Sequence, residues 1–158
     1  MFREMRRKGQ ALPEAACEEI LHGHGVGVLA VAGDDGYPYA VPVNYVYVDG
    51  KIVIHGGKAG HRWDAAHQSD KVSFCVIDQD TPLPEFFTTA YKSVIAFGRA
   101  EVVTEPAAMQ PYLEALTDTF TGAPKEEQLA YIARGMPHVS LLVIHIEHLT
   151  GKKGARVP

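Results

Sequence analysis

Two apolar runs rich in Val, Ile and Tyr, residues 38–48 and 51–55, meet at Asp49-Gly50. An Asp-Gly pair between such runs is a strong hairpin signal, because both central positions of the two-residue turn need left-handed backbone. The hairpin biases the whole chain toward an antiparallel sheet. Pro38 and Pro42 lie in the first run. Neither can donate to a ladder, so that run belongs at a sheet edge, a bulge or a strand start.

The remaining segments fit around this hairpin. Residues 13–21 read as a helix, opened by Pro13, followed by Glu14, Glu18 and Glu19, and stopped by Gly23. Residues 26–32 form a short apolar strand, and Gly33-Asp34-Asp35-Gly36 a turn. A short helix is expected over 61–68, a strand over 71–78, and a proline-bearing loop over 79–87. A long strand over 91–103 is expected to bulge near Gly98. Two helices, 106–120 and 125–133, are joined by 121–124. A last strand, 139–149, precedes a polar tail, 150–158. Strand and helix do not alternate as a parallel dinucleotide-binding fold requires. Six strands with few helices point to a mainly β, antiparallel, closed barrel with helical insertions. The 158 residues suit a single domain over 1–158, and 46% hydrophobic content supplies its core.

The net charge of -4 argues against a general nucleic-acid binder. The local run Arg3, Arg6, Arg7, Lys8 reads as a solvated or partner-contacting arm. Two cysteines, Cys17 in a helix and Cys75 in a strand, form no disulfide framework or paired-cysteine metal motif. No apolar leader or membrane-length run is visible, so a soluble protein of the reducing cytoplasm is expected, without a membrane partner.

Few of the chemical motifs are specific. Gly23-His24-Gly25-Val26-Gly27 precedes a strand and follows a helix, the reverse of a dinucleotide fingerprint. None of the eight histidines forms a His-x-x-x-His helical pair; His61 and His67 do not share a helix face, and strand alternation puts His145 and His148 on opposite faces. No metal site is expected. No serine or cysteine stands in a nucleophile motif. The segment from Lys51 to Asp64 is the exception. Gly56, Gly57 and Gly60 let backbone amides approach a ligand, Lys58 and Arg62 add charge, and the helix starting at His61 adds free amides. This pattern suits a phosphate. It equally suits a plain strand-to-helix turn with surface cations.

With these residues in view, the chain resembles the pyridoxamine-phosphate-oxidase-like flavin-binding split-barrel superfamily, and within it the nitroimidazole-resistance branch. The blocks that carry the likeness are 1–8, Gly27-Val28-Leu29-Ala30-Val31, Gly36-Tyr37-Pro38-Tyr39-Ala40-Val41-Pro42, Asp49-Gly50, His55, Gly60-His61-Arg62, and residues 93–100. Their order and spacing are more specific than any one block. The resemblance implies a six-stranded antiparallel split barrel with flanking helices, forming a homodimer with FMN at its interface. It implies that Val41, Pro42, Val43 and Asn44 lie along the flavin ring, and that His55 and Gly56 meet its phosphate-ribityl side. It places Lys58, Gly60, His61 and Arg62 at the phosphate and Ser93 at the ring. The last strand lacks the Trp and Arg/His pattern that grips vitamin B6 phosphates, so the likeness does not extend to that substrate. The first strands lack the Arg and Lys that those oxidases place on the phosphate. The implied activity is reduction of a small aromatic or nitro compound, with a transient donor such as NAD(P)H and His55 as the catalytic candidate. A strand-end histidine bonded to backbone is the plainer reading of His55. Tyr39, Tyr45, Trp63 and Tyr91 either line the site or fill the core. A non-enzymatic flavin- or haem-binding protein is the rival class.

Overall fold

The computed structural model describes residues 2–155. Eight strands, β1 (Ala11–Leu12), β2 (Val26–Ala32), β3 (Pro38–Asn44), β4 (Val46–Val48), β5 (Lys51–Gly56), β6 (Lys71–Leu83), β7 (Thr88–Val103) and β8 (Ser140–Lys153), form one antiparallel sheet. Four helices accompany it: α1 (Glu14–Gly23), α2 (His61–Gln68), α3 (Pro106–Phe120) and α4 (Lys125–Gly135). The ladder order is β3-β2-β6-β7-β8-β5-β4, with β1 on β8. Its two ends, β3 and β4, are consecutive pieces of the 38–48 run. The break falls at Tyr45, which is fully buried and whose amide bonds the Gly25 carbonyl instead of a strand. The sheet therefore curls on itself but stays open in hydrogen bonding, which corrects the expected closed barrel. β3 is an edge strand, the place its two prolines demand.

The Asp49-Gly50 turn has the left-handed φ values its sequence calls for, 50° and 72°. The expected loop at 79–87 is largely strand: β6 continues through Pro82 to Leu83, because 79–83 pair with 88–92. The expected tail begins as strand up to Lys153 for the same reason, its partner being β7. Met1 and residues 156–158 of that tail lie outside the described residues.

Two cores flank the sheet. Inside the curl, Leu29, Val43, Ile52, Ile54, Phe74, Val94, Leu142 and Ile144 pack with Cys17, Ile20 and Leu21 of α1 and Trp63 of α2. On the outside, the α3–α4 hairpin covers Val46, Val53, Leu141 and Val143 with Met109, Leu113, Leu116 and Ile132. The unbroken apolar runs 52–54 and 141–144 are thus buried on both faces. Beyond the hairpin lies the outer face of β2, β6 and β7. It exposes Val26, Ile77, Ile95 and Phe97.

One bulge changes which side chains share that outer face. Phe97 pairs with His148 and Gly98 with Ile146, so Glu147 is the extra residue. Arg99 and Phe97, two apart in β7, therefore face His145 and His148. The two histidines share a face, correcting the alternation expected from sequence. The bulge lies opposite Gly98, but in β8 and not in the 91–103 strand where the sequence placed it.

Candidate functional site

β3 and β5, from opposite ends of the ladder, meet the start of α2 where the curled sheet comes back on itself. In β3 the side chains of Val41 and Val43 turn toward the inner core, whereas Pro42 and Asn44 are exposed on the outer face. The free edge of β3 presents backbone groups, and Pro42 contributes only a carbonyl. Asn44 donates from Nδ2 to the Gly25 carbonyl at 3.3 Å. His55 lies on the outer face of β5, in step with Lys51 and Val53. Solvent still reaches His55, yet the surrounding protein and, second, the Arg62 charge hold its imidazole below the ordinary value of 6.5. A neutral ring near pH 7 follows.

The turn after β5 is anchored rather than loose. Ser140, buried at the start of β8, donates from Oγ to the Gly57 carbonyl at 2.9 Å. Gly60 has φ 124°, a conformation that favours glycine, and its carbonyl receives the first helical amides of α2, from Trp63 and Asp64. The amides of His61 and Arg62 precede those and point off the helix start. Added Cβ atoms at Gly57 or Gly60 would meet nothing within 4 Å, so their backbone is open to a ligand.

The cations are arranged less simply than their spacing suggests. Lys58 is exposed. Arg62 is half-buried, donates from Nη2 to the His55 carbonyl at 3.2 Å, and stacks over Trp63 at 5.0 Å. His61 stacks on Tyr39 at 4.1 Å, with Nε2 3.6 Å from Asp34. Trp63 and Tyr45 are core residues, exposed by 2% and 0%, while Tyr39 and Tyr91 are half-buried.

Ser93 is not near this group in the ladder. It lies inside β7 rather than at its start, paired with Ile77 and Lys152. Cross-strand pairing nevertheless puts Pro42, Val28, Cys75 and Ile95 in one row of the outer face, and Ser93 belongs to that face two residues from Ile95. With β2 and β6 between them, β3 and β7 are about 14 Å apart at ordinary strand spacing. Asn44 and Ser93 thus share a face without sharing a contact. Gln128 of α4 escaped the sequence reading. It is 7% exposed and lines a cavity together with Asn44 and His55. The available signal was its spacing four residues before Ile132, on the buried stripe of the helix.

The sequence profile described as pyridoxamine 5'-phosphate oxidase matches residues 13–153. The chain belongs to the pyridoxamine 5'-phosphate oxidase family. Solved structures of similar fold include a proposed 5-nitroimidazole antibiotic resistance protein from Bacteroides thetaiotaomicron, 16% identical over 90% of this chain and 86% of that one, TM-score 0.79. The nitroimidazole-resistance likeness expected from sequence thus has a structural counterpart. A conserved hypothetical protein from Mycobacterium tuberculosis is 22% identical over 95% of this chain and 90% of that one, TM-score 0.83. An FAD and heme binding protein from Mycobacterium smegmatis is 23% identical over 94% and 75%, TM-score 0.72. At such identities these likenesses speak for the shared split-barrel fold. No curated protein matches the chain. Among the described residues, no helix is long and apolar enough to cross a membrane.

Proposed function

We propose that this member of the family is an FMN-binding flavoprotein and a reductase of small aromatic or nitro compounds. The observation that carries the reading is the junction of an edge strand with an open, anchored glycine turn. β3 offers backbone at Pro42 and Asn44, and the turn offers the Gly57, Gly60, His61 and Arg62 amides beside Lys58. Backbone donors, a helix start and a cation suit the FMN phosphate. The named likeness to an FAD and heme binding protein favours a flavin over other phosphorylated ligands.

When bound, the flavin supplies the redox chemistry, with NAD(P)H as a transient donor. The chain supplies position. Arg62 holds the end of β5 and leaves a second charge at the turn. His55, kept neutral, can accept or donate one hydrogen bond at the mouth of the cavity. The outer face of β2, β6 and β7 is the surface for a second copy of the chain. In that homodimer the Ser93 near each flavin comes from the opposite chain, because its own chain holds it about 14 Å from β3.

The test is the visible spectrum of the purified protein, followed by FMN titration and steady-state turnover of a nitroaromatic with NAD(P)H. A flavin spectrum with turnover well above that of free FMN is expected. A colourless protein that leaves FMN in free solution overturns the flavin assignment. The haem alternative draws on the same heme-binding relative and would declare itself as a Soret band.

A further inference from the structure

A cavity of about 830 Å³ lies between the α3–α4 hairpin and the outer face of β3 and β5. That volume suits a molecule of one or two rings. Leu113, Leu116 and Ile132 give it apolar walls, and Phe120 and Tyr131, exposed by 47% and 64%, add ring faces for stacking. Asn44 and His55 border it on the barrel side.

One wall residue does not fit a purely structural role. Gln128 is 93% buried, and its Nε2 donates to the Ala123 carbonyl at 3.0 Å. That bond fixes the orientation of the amide, because a flip would set oxygen against oxygen. Its Oε1 is then buried with no partner, the only such side-chain atom among the described residues. A buried acceptor without a donor is costly, and a leucine or methionine would fill the same space without that cost. Gln128 belongs to the cavity wall, so a guest that reaches its amide is the group placed to supply the missing donor.

We propose that this cavity binds a small aromatic molecule carrying an N–H or O–H donor, which Gln128 Oε1 accepts. Its role as the acceptor pocket of the enzyme rests on the flavin reading, since Asn44 and His55 border both sites. In that role the pocket selects nitrophenols or nitroanilines over rings without a donor. Binding itself needs no flavin.

The test compares indole with 1-methylindole, the same ring without the donor, by calorimetric titration of the full chain in excess FMN. Indole binding about tenfold tighter is expected, the worth of one hydrogen bond to an otherwise unpaired buried acceptor. Gln128→Leu should erase that preference while leaving 1-methylindole affinity within about twofold, since the leucine keeps the apolar wall. Ala130→Trp, at an exposed position on the cavity wall, should block both probes. Equal affinity of the two probes for the native chain overturns the proposal, whether or not the leucine variant folds. So does the absence of binding, or a preference that survives Gln128→Leu. FMN uptake in the same sample separates the two readings: uptake without indole binding removes the pocket alone, and indole binding without uptake removes the flavin alone.

Discussion

Arg62 reaches back over Gly56 to donate from Nη2 to the carbonyl oxygen of His55, at 3.2 Å. A Cβ at Gly56 would collide with that same guanidinium nitrogen and would press on Trp63 Cζ2 at 3.0 Å. The two positions are therefore coupled. Arg62→Ala is expected to weaken FMN binding by about 1.5–3 kcal/mol if the cation makes a charge-assisted phosphate bond. Gly56→Ala should displace the flexible end of Arg62, so part of the same loss follows without removing the charge. Fluorescence titration of FMN checks both. Unchanged affinity in Arg62→Ala would refute the phosphate role and leave Arg62 as a clamp on β5.

His55 links the site to pH. Burial and the Arg62 charge lower its pKa in the folded chain below the ordinary 6.5. The unfolded chain then binds more protons in the window between the two values, so stability rises with pH there. The contribution is fully present above about pH 6.5 and is lost as pH falls through the lowered value. His55→Asn should flatten the stability curve below pH 6.5 and leave it little changed at pH 8. Denaturant midpoints from pH 5 to 8 provide the comparison, with equal slopes for both proteins counting against the assignment.

Much of the fold could be read from local chemistry. Asp49-Gly50 takes the left-handed turn that its residue types allow, Pro38 and Pro42 stand on an edge, and Gly98 lies opposite a bulge. The missed features depend on partners distant in sequence. Pro82 remains in a strand because 88–92 pair with that arm, and His145 joins His148 because Glu147 drops out of register. The site was legible at the glycine turn, whose open backbone follows from Gly57 and Gly60. The engagement of Arg62 with a carbonyl and a ring was not, since spacing gives no side-chain direction. Gln128 was illegible for a further reason: its residue type reads as surface, and only the folded helix pair shows its oxygen unpaired.

Gly98 gives a stability prediction independent of the site. Opposite the bulge its backbone comes so close to β8 that an added Cβ would strike the His145 carbonyl oxygen, with Ile144 Cγ2 at 3.0 Å. Neither neighbour is a flexible side-chain end: one is ladder backbone, and the other belongs to a fully buried residue. Gly98→Ala should therefore cost about 1–3 kcal/mol, the range for overpacking a close-fitted interior. Urea denaturation would measure it. A variant as stable as the native chain would mean that the bulge relaxes freely.

The outer face gives the last prediction. Ile95 is 39% exposed and lies in a row with Val28 and Cys75, and Val26 and Ile77 on the same face are 58% and 63% exposed. An apolar face of this kind is a candidate association surface. Two copies packed through it would bury these side chains, and the proposed shared site requires that each Ser93 then approach the opposite β3. Ile95→Glu would place a charge where a second chain must exclude water, and burying an unpaired carboxylate is far costlier than leaving it solvated. The native chain should sediment as a dimer and the variant as a monomer. Circular dichroism should stay unchanged, because the position is solvated in the isolated chain. FMN affinity should fall with the dimer, since each flavin would lose the contacts from the opposite chain. A native chain that sediments as a monomer refutes the shared site, and a monomeric variant with full FMN affinity would place the whole flavin site within one chain.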